Sequence, residues 1–257
     1  MQSSSSKIEK NVPPYSQLAR IYDSVMAHVN YRRWADFIHS VIQKWCPAAQ
    51  TVVDASCGTG TFLQNLMKYN YRLAGFDYSG PMVRQAFLKS KRGELNAPIW
   101  QDDIRTFGLS KSVEVIVCLY DSINYLMSLN HITETLTNVH RSLTQSGLFI
   151  FDICTERNSI KYFDNFIDRD SGPGYNYVRK SSFDRSQRIH SNVFHINFQD
   201  EETVFVEQHE QRIYFLEELY NIINPAQYTL VAALDGFSFR RSSERSLRAH
   251  FVLQKVN

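Results

Sequence analysis

The chain has 257 residues, which suits one α/β domain of generous size or one domain that carries an insertion. Hydrophobic residues make up 43% of it and charged residues 21%, a globular composition that excludes a disordered protein. The net charge of +2 excludes the strong basic excess of a dedicated nucleic-acid binder, whose affinity depends on phosphate contacts. We therefore expect a folded, soluble protein with no nucleic-acid partner.

The N-terminal segment and the cysteines indicate the compartment. Residues 1–14 contain Ser, Lys and Pro and lack the apolar region of a signal peptide, so we expect a disordered tail. No run approaches the ~18 apolar residues that a membrane span needs. The four cysteines form no CxxC pair and have no histidine at ligand spacing. These features predict a cytoplasmic protein with no membrane partner and no metal.

Two amphipathic patterns follow the tail. Apolar residues recur at three-to-four spacing over residues 18–29 and again over residues 34–45. This spacing predicts two helices, the second of which ends before Pro47. We expect residues 15–46 to form an N-terminal helical cap on the main domain.

Strands and helices then alternate. The predicted strands cover residues 51–54, 71–76, 98–101, 113–120 and 147–153, and a last helix (216–223) and two more strands (228–234 and 249–255) end the chain. Strands that are apolar on both faces are typical of the interior of a parallel sheet. The pattern predicts an α/β fold with a Rossmann-like, doubly wound, seven-stranded sheet over residues 47–155 and 214–257.

The rhythm changes after Thr155 to an alternation of apolar and polar residues. The alternating segments are residues 175–184, 188–199 and 203–214, with turn-like polar residues between them. Such alternation is typical of antiparallel strands with one buried face. We interpret residues 156–213 as a small antiparallel β-sheet, inserted into the α/β domain as a lid.

The turn after the first strand is the first candidate ligand site, because ligands of open α/β sheets bind at the carboxyl ends of the strands. Gly58 and Gly60 would let a ligand approach the backbone closely, and the following helix offers free amides. A dinucleotide site needs G-x-G-x-x-G, but Thr61 stands at the third glycine position. The turn therefore disfavours a nicotinamide or flavin cofactor.

Acidic residues follow the second and third strands. Asp77 ends the second strand, where a carboxylate accepts hydrogen bonds from ribose hydroxyls. Asp77 and Ser79 have a second interpretation as caps of the next helix. After the third strand, Asp102 or Asp103 would accept the amine of adenine, with Ile104 against the ring; two adjacent acids otherwise form a solvated loop.

Polar and aromatic residues leave the fourth strand, over residues 118–126. Side chains of this kind are unexpected directly after a buried strand. We expect the reacting atoms of the cofactor and the acceptor to meet at this loop.

Four motifs, in order and at the right spacing, resemble those of class I S-adenosylmethionine-dependent methyltransferases. They are the segments 54–60 (D-A-S-C-G-T-G, with Ser56 in place of the family's first glycine), 76–82, 101–104 and 120–126. The resemblance covers residues 15–253 and implies S-adenosylmethionine as the cofactor. Within the class, segments 18–23, 31–34 and 207–214 resemble the small-molecule subgroup with an antiparallel insertion, which includes glycine N-methyltransferase, aminosugar N,N-dimethyltransferases and uncharacterised bacterial proteins.

The resemblance implies the residues of the cofactor site. The glycine turn would hold the methionine part, Asp77 the ribose, and Met82 or Tyr78 would lie beside the adenine. The predicted cofactor-binding residues are Tyr22, Tyr31, Trp34, Asp54, Ala55, Ser56, Gly58, Gly60, Asp77, Tyr78, Met82, Asp102, Asp103, Ile104, Leu119, Tyr120 and Tyr125.

The predicted reaction transfers a methyl group to an N- or O-nucleophile of a small molecule. Methyl transfer is an in-line displacement, so much of the enzyme's task is to bring nucleophile and methyl group together. We expect the acceptor between the N-terminal helices, the loop after the fourth strand and the inserted sheet, where aromatic rings suit a cationic donor. The catalytic candidates are Tyr120, Asp121 and, as a base, His209, although a lone histidine is more often structural.

Other functions stay open. One is a catalytically inactive module that binds S-adenosylmethionine, and another is a nicotinamide- or flavin-dependent oxidoreductase. Against an RNA acceptor stand the low charge and the lack of an N/D-P-P-Y motif after the fourth strand. The sequence gives no signal for the oligomeric state, and a homodimer is one alternative.

Overall fold

The computed structural model describes residues 7–256, which form twelve strands and seven α-helices. The strands are β1 (Ile8–Val12), β2 (Thr51–Asp54), β3 (Arg72–Asp77), β4 (Ile99–Gln101), β5 (Val113–Cys118), β6 (Leu143–Cys154), β7 (Phe166–Gly172), β8 (Tyr175–Asp184), β9 (Ile189–Phe198), β10 (Thr203–Arg212), β11 (Tyr228–Asp235) and β12 (Arg248–Lys255). The helices are α1 (Tyr22–Val25), α2 (Tyr31–Trp45), α3 (Thr61–Leu66), α4 (Gly80–Lys91), α5 (Leu129–Ser142), α6 (Glu156–Tyr162) and α7 (Leu216–Ile222).

The central sheet has seven strands in the order β11-β12-β6-β5-β2-β3-β4. The strands from β6 to β4 pair in parallel, whereas β12 runs antiparallel to both of its neighbours. The chain proceeds from β2 to β3 on one side and returns to β5 on the other, so the strand order reverses there. The predicted α/β fold is confirmed, and its topology favours a ligand crevice at the carboxyl ends of β2 and β5.

Helices cover both faces of this sheet. On one face, Ile38 and Val41 of α2 and Leu63 of α3 are buried with Val52 of β2. On the other face, the apolar stripe of α5 packs with α7 against β5 and β6. No helix within residues 7–256 is both long and apolar enough to cross a membrane.

The second sheet has five strands in the order β1-β10-β9-β8-β7. Tyr175, Phe194 and Ile196 lie on its buried face and pack against Leu18 and Ile21. The predicted alternation gave β8, β9 and β10 at nearly their observed bounds. The prediction missed β7, because this edge strand is mostly exposed and carries no alternation of apolar residues.

The prediction of a disordered tail over residues 1–14 is wrong for its described part. Ile8–Val12 forms β1, which pairs in parallel with Thr203–Glu207 of β10. Most of its side chains are exposed, so backbone hydrogen bonds to the open edge of β10 hold the strand. A segment held this way has no hydrophobic pattern that would reveal it. Residues 1–6 of the predicted tail lie outside the described residues.

The predicted helical cap contains one long helix instead of two. Residues 34–45 belong to α2, as predicted, but residues 18–29 form only a 3₁₀ turn, Leu18–Arg20, and the single turn α1. The apolar residues Leu18 and Ile21 face the second sheet, which explains their spacing without a continuous helix. No side chain caps either short turn.

Candidate active site

A cavity of about 680 Å³ opens where the strand order reverses. Its wall includes the turn after β2, the segments that follow β3, β4 and β5, and the N-terminal residues 13–16. Of the predicted cofactor residues, these line the cavity: Tyr22, Tyr31, Trp34, Asp54, Ala55, Ser56, Gly58, Asp77, Tyr78, Met82, Asp103, Ile104, Leu119, Tyr120 and Tyr125. Gly60 and Asp102 are outside this lining. Segments far apart in the sequence therefore meet at one site.

The two glycines of the turn have different structural roles. Gly58 has φ +53°, and a Cβ there would meet no atom within 4 Å, so its Cα faces open space beside the cavity. Gly60 has φ +80°, and a Cβ there would lie 2.7 Å from Leu95 Cδ2. Gly60 thus serves the packing of α3, while Gly58 leaves backbone accessible to a ligand.

Asp77 faces the cavity at the end of β3. Its Oδ2 accepts a hydrogen bond from Gly58 N at 2.8 Å, and its Oδ1 accepts one from Ser79 N at 2.8 Å. The cap of α4 is Ser79, whose side chain accepts from Met82 N, so Asp77 is not the helix cap. Each carboxylate oxygen keeps a lone pair for a further donor. Burial raises the pKa of Asp77 above its usual range.

Asp54 and the turn around it form the floor of the site. The Asp54 side chain is 2% exposed and its Oδ1 accepts from Ser56 N at 3.2 Å. Burial raises the pKa of Asp54 to about 7. The cavity therefore has two carboxyl groups at one end, in an environment that disfavours their charge.

The adjacent acids after β4 point in different directions. Asp102 accepts from Trp100 Nε1 at 3.2 Å and from the amide of Asp103, and it does not line the cavity. Asp103 lines the cavity together with Ile104, and its carboxylate forms an ion pair with Arg105. The hydrogen bond from Arg105 lowers the pKa of Asp103. Of the two alternatives left open by the sequence, only Asp103 is at the cavity.

The loop after β5 has a strained backbone. Tyr120 and Asp121 have φ values of +62° and +54°, in the left-handed region that such residues rarely adopt. Asp152 holds the loop, since its two oxygens accept from the backbone amides of Tyr120 at 2.6 Å and Asp121 at 3.0 Å. Arg248 forms ion pairs with both Asp152 and Asp121. Sequence analysis missed Asp152 and Arg248, although an acid inside the apolar strand β6 is a signal for a buried partner.

Aromatic side chains form a further part of the cavity lining, here called the aromatic wall. Tyr31 stacks on Tyr120 with ring centroids 6.3 Å apart, and Trp34 lies 5.4 Å from Tyr120. Tyr15, which the sequence did not single out, lines the same cavity and lies 6.0 Å from Tyr22. Burial raises the pKa of these tyrosines, so their phenols are neutral at physiological pH.

Two of the three catalytic candidates are outside the cavity lining. Tyr120 lines it, whereas the Asp121 carboxylate is occupied by Arg248 and by Gln211 Nε2 at 2.6 Å. His209 is 2% exposed, and two lining residues separate it from the cavity: the hydroxyl of Tyr125, 3.1 Å from Nδ1, and the ring of Tyr15, whose centroid is 4.6 Å from that of His209. The structure thus does not bring His209 or Asp121 into direct contact with the cavity.

A buried lysine fastens α1 to the glycine turn. Lys89 Nζ lies 2.7 Å from Asp23 Oδ2 and donates to Thr61 Oγ1 at 2.6 Å. Thr59 and Thr61 also donate to Asp23 Oδ1. This network holds the α1 residue Tyr22 beside the cavity. Within residues 7–256, no group of three or more His, Cys, Asp or Glu side chains could hold a metal ion.

The family comparison agrees with this geometry. Residues 52–147, from β2 into β6, match the family model described as a methyltransferase domain. This stretch contains the glycine turn, Asp77 and the loop after β5. Residues 52–147 thus carry a methyltransferase domain, and this match together with the relatives below supports an S-adenosylmethionine-dependent methyltransferase with S-adenosylmethionine as its cofactor.

Individual relatives extend the likeness beyond this domain. The chain is 27% identical to the protein named as methyltransferase YqeM of Bacillus subtilis (strain 168), over 94% of this chain and 97% of that protein. It is 29% identical to dTDP-4-amino-2,3,4,6-tetradeoxy-D-glucose N,N-dimethyltransferase of Saccharopolyspora spinosa, over 52% of this chain and 53% of that protein. The crystal structure of an S-adenosylmethionine-dependent methyltransferase from Clostridium acetobutylicum ATCC 824 shares the fold, with a TM-score of 0.79 and 23% identity, over 95% of this chain and 99% of that chain.

Proposed function

We propose that this methyltransferase transfers a methyl group from S-adenosylmethionine to the amino group of a small molecule that enters the aromatic side of the cavity. The observation that carries the proposal is that one cavity is lined both by the carboxyl groups of Asp54 and Asp77 and by several aromatic side chains. A volume of about 680 Å³ is in the range of pockets that enclose small ligands.

The residues around the two carboxyl groups suit the donor. S-adenosylmethionine, when bound, supplies a methyl group on a positively charged sulfur that is already activated for displacement. In our proposal the backbone at Gly58 would hold the methionine part, and the free lone pairs of Asp77 would accept from the ribose hydroxyls. Met82 and Ile104 would contact the adenine, with Asp103 as the acceptor for its amine.

The aromatic wall suits an amine acceptor. The ring faces of Tyr15, Tyr22 and Tyr31 attract cations, which favours both a sulfonium donor and an ammonium group near the transfer point. Positioning the two reactants in this enclosed space supplies much of the rate enhancement. The relative from Saccharopolyspora spinosa carries N,N-dimethyltransferase in its name, which supports nitrogen as the methylated atom.

The charges of the lining argue for an acceptor without a phosphate inside the cavity. Among the described lining residues, Arg105 and His131 are the side chains able to carry positive charge, and both lie near Asp103. Neither is on the aromatic wall. We therefore propose a small amine whose body packs on aromatic rings, and not the dTDP-linked amino sugar of the named relative.

Methyl transfer from isotope-labelled S-adenosylmethionine tests the proposal, with benzylamine as a small amine and a dTDP-linked amino sugar as the rival. Mass spectrometry of the products should show methylated benzylamine and no methylated sugar nucleotide. Methylation of the sugar nucleotide alone would contradict the acceptor class. Transfer to neither acceptor, with the donor bound, would favour the inactive binding module.

We also propose that the enzyme works in the cytoplasm, independently of nucleic acid, with the homodimer kept as the alternative for its oligomeric state. The four cysteines are free thiols, which favours a reducing compartment. The net charge of +2 gives little attraction to phosphate backbones. Analytical ultracentrifugation decides whether the chain is a homodimer, and RNA titration at low salt tests the independence from nucleic acid, which tight RNA binding would contradict.

A further inference from the structure

Four side chains form a continuous hydrogen-bonded chain that leads from the cavity into the protein. Tyr15 Oη is 2.7 Å from Tyr125 Oη, and Tyr125 Oη is 3.1 Å from His209 Nδ1. His209 Nε2 is 3.3 Å from Glu207 Oε2. Tyr15 and Tyr125 line the cavity, whereas His209 and Glu207 are 2% and 0% exposed. The hydrogen-bonded series therefore begins at the cavity with Tyr15 and ends at Glu207, which is sealed from solvent.

The inner end fixes the direction of the hydrogen bonds. Glu207 Oε1 accepts from the backbone amides of Gln17 at 2.5 Å and Leu18 at 2.9 Å. Amides only donate, so Oε1 is an acceptor, and Oε2 of the same carboxylate is the acceptor that faces His209. His209 must then donate to Glu207 through Nε2–H, which leaves the lone pair of Nδ1 towards Tyr125.

The hydrogen bond of His209 also fixes the directions of the hydrogen bonds between it and the cavity. Because His209 Nδ1 accepts, Tyr125 must donate its hydroxyl hydrogen to it, so Tyr125 Oη can accept from Tyr15. Tyr15 thus directs its own hydrogen inward and presents oxygen lone pairs to the cavity. Its position is defined by a left-handed backbone, φ +61°, next to Pro13 and Pro14 of the lining.

We propose that Tyr15, Tyr125 and His209 form a proton relay that removes a proton from the bound acceptor amine, with Glu207 as the residue that orients it. This inference rests on the proposed amine-methylating function. The acceptor binds as an ammonium ion: one of its N–H bonds breaks, the electron pair stays on nitrogen as the lone pair of the neutral nucleophile, and the proton goes to Tyr15 Oη. The hydrogen of Tyr15 moves to Tyr125, and that of Tyr125 moves to His209 Nδ1, which yields an imidazolium beside the Glu207 carboxylate.

The environment of the phenols agrees with transfer through them. Burial raises the pKa of Tyr15 and Tyr125, so a lasting phenolate on either ring is unfavourable. The proton must then continue to His209, whose ring is held between Tyr125 and Glu207. After the product leaves, the proton returns along the same path to solvent in the opened cavity, so the relay needs no further reactant.

The relay makes a prediction that needs no acceptor. ¹⁵N NMR of the histidine rings in the full chain, assigned by loss of a signal in His209→Gln, should show His209 protonated on Nε2 and unprotonated on Nδ1. In Glu207→Gln the amide oxygen keeps the Gln17 and Leu18 contacts, and the amide NH₂ faces His209 Nε2. The ring proton of His209 should therefore move to Nδ1, which reverses the direction of the hydrogen bonds to Tyr125 and Tyr15.

Activity on benzylamine gives the second readout. We expect Glu207→Gln and His209→Gln to lower kcat by about 100-fold, the contribution typical of acid–base catalysis, while calorimetry shows unchanged S-adenosylhomocysteine affinity. His190→Gln is the matched control, because His190 is equally buried in the second sheet but contacts Ser159 and Asn192. It should keep wild-type kcat.

Three results separate the two proposals. Wild-type His209 with its proton on Nδ1 would overturn the relay, as would wild-type kcat in both Gln variants at positions 207 and 209. Failure of the wild-type chain to bind S-adenosylhomocysteine would overturn the proposed function instead, and calorimetry detects that failure without any acceptor.

Discussion

Burial of the Asp54 side chain makes its contribution to stability depend on pH. Asp54 ends β2, is 2% exposed, and accepts one hydrogen bond from Ser56 N. Burial raises its pKa from 3.8 to about 7. In the unfolded chain the group ionises near its ordinary pKa, whereas the folded chain holds the proton. Its stabilising contribution is therefore complete below pH ~4 and is lost as the pH rises through 7.

Replacement of Asp54 by Asn should remove this pH dependence, because the amide cannot ionise and still accepts from Ser56. We expect the free energy of unfolding of the wild type to fall relative to Asp54→Asn between pH 4 and 8, by up to about 4 kcal/mol, because burial raises the pKa from 3.8 to about 7. Urea unfolding at a series of pH values measures it. Asp200→Asn, at an exposed turn, is the control; parallel curves for wild type and Asp54→Asn would show that the pKa is ordinary.

At the scale of elements, β6 and β12 shape the loop after β5. Asp152 of β6 accepts the two amides of the strained residues Tyr120 and Asp121, and Arg248 of β12 compensates both carboxylates. The Arg248 guanidinium also lies 5.2 Å from the ring centroids of Trp34 and Tyr120. The antiparallel strand β12 thus fixes the aromatic wall through one side chain.

Arg248→Met should leave the carboxylates of Asp152 and Asp121 without a compensating positive charge. We expect a loss of roughly 3–5 kcal/mol in the free energy of unfolding, with partial recovery in the double variant Asp152→Asn/Arg248→Met, where less buried charge remains. Urea denaturation at neutral pH measures both. The control is Arg240→Met, since Arg240 is 82% exposed and lies 4.0 Å from Asp235. Equal losses for the two single variants would contradict the structural role of Arg248.

The elements also show what the sequence could and could not predict. Strands that bury one or both faces need apolar residues at regular positions, and the sequence shows this pattern. The central sheet and β8–β10 could therefore be predicted. The strands β1 and β7 are exposed edges held by backbone hydrogen bonds, which leave no pattern. The motif residues Gly58 and Asp77 stand in local, recognisable segments.

Contacts between residues that are far apart in the sequence could not be predicted from it. Glu207 reaches the amides of Gln17 and Leu18 across about 190 residues, and Tyr15 meets Tyr125 across 110. No spacing rule connects such positions, because the inserted sheet brings them together only in the folded chain. The placement of His209 behind Tyr125, and not in the cavity, depends on the same contacts.

At the scale of the whole molecule, the site is enclosed by three parts of the chain. The central sheet provides the carboxyl groups, the loop after β5 provides part of the aromatic wall, and residues 13–16 complete the lining beside that loop. Polar contacts anchor the N-terminal segment at two points, Glu207 on the inserted sheet and Lys89 on α4. Donor and acceptor therefore meet in a space that depends on all three parts.

Calorimetric titration of S-adenosylhomocysteine tests the central claim most directly, which is that the glycine turn and Asp77 hold the donor. The account predicts binding to the wild type, an affinity about 10- to 100-fold lower in Asp77→Asn through lost charged hydrogen bonds, and no binding of NAD. Asp102→Asn is the control, because Asp102 lies outside the cavity and should bind like wild type. Equal affinity in Asp77→Asn and wild type, or no binding to the wild type, would contradict the account.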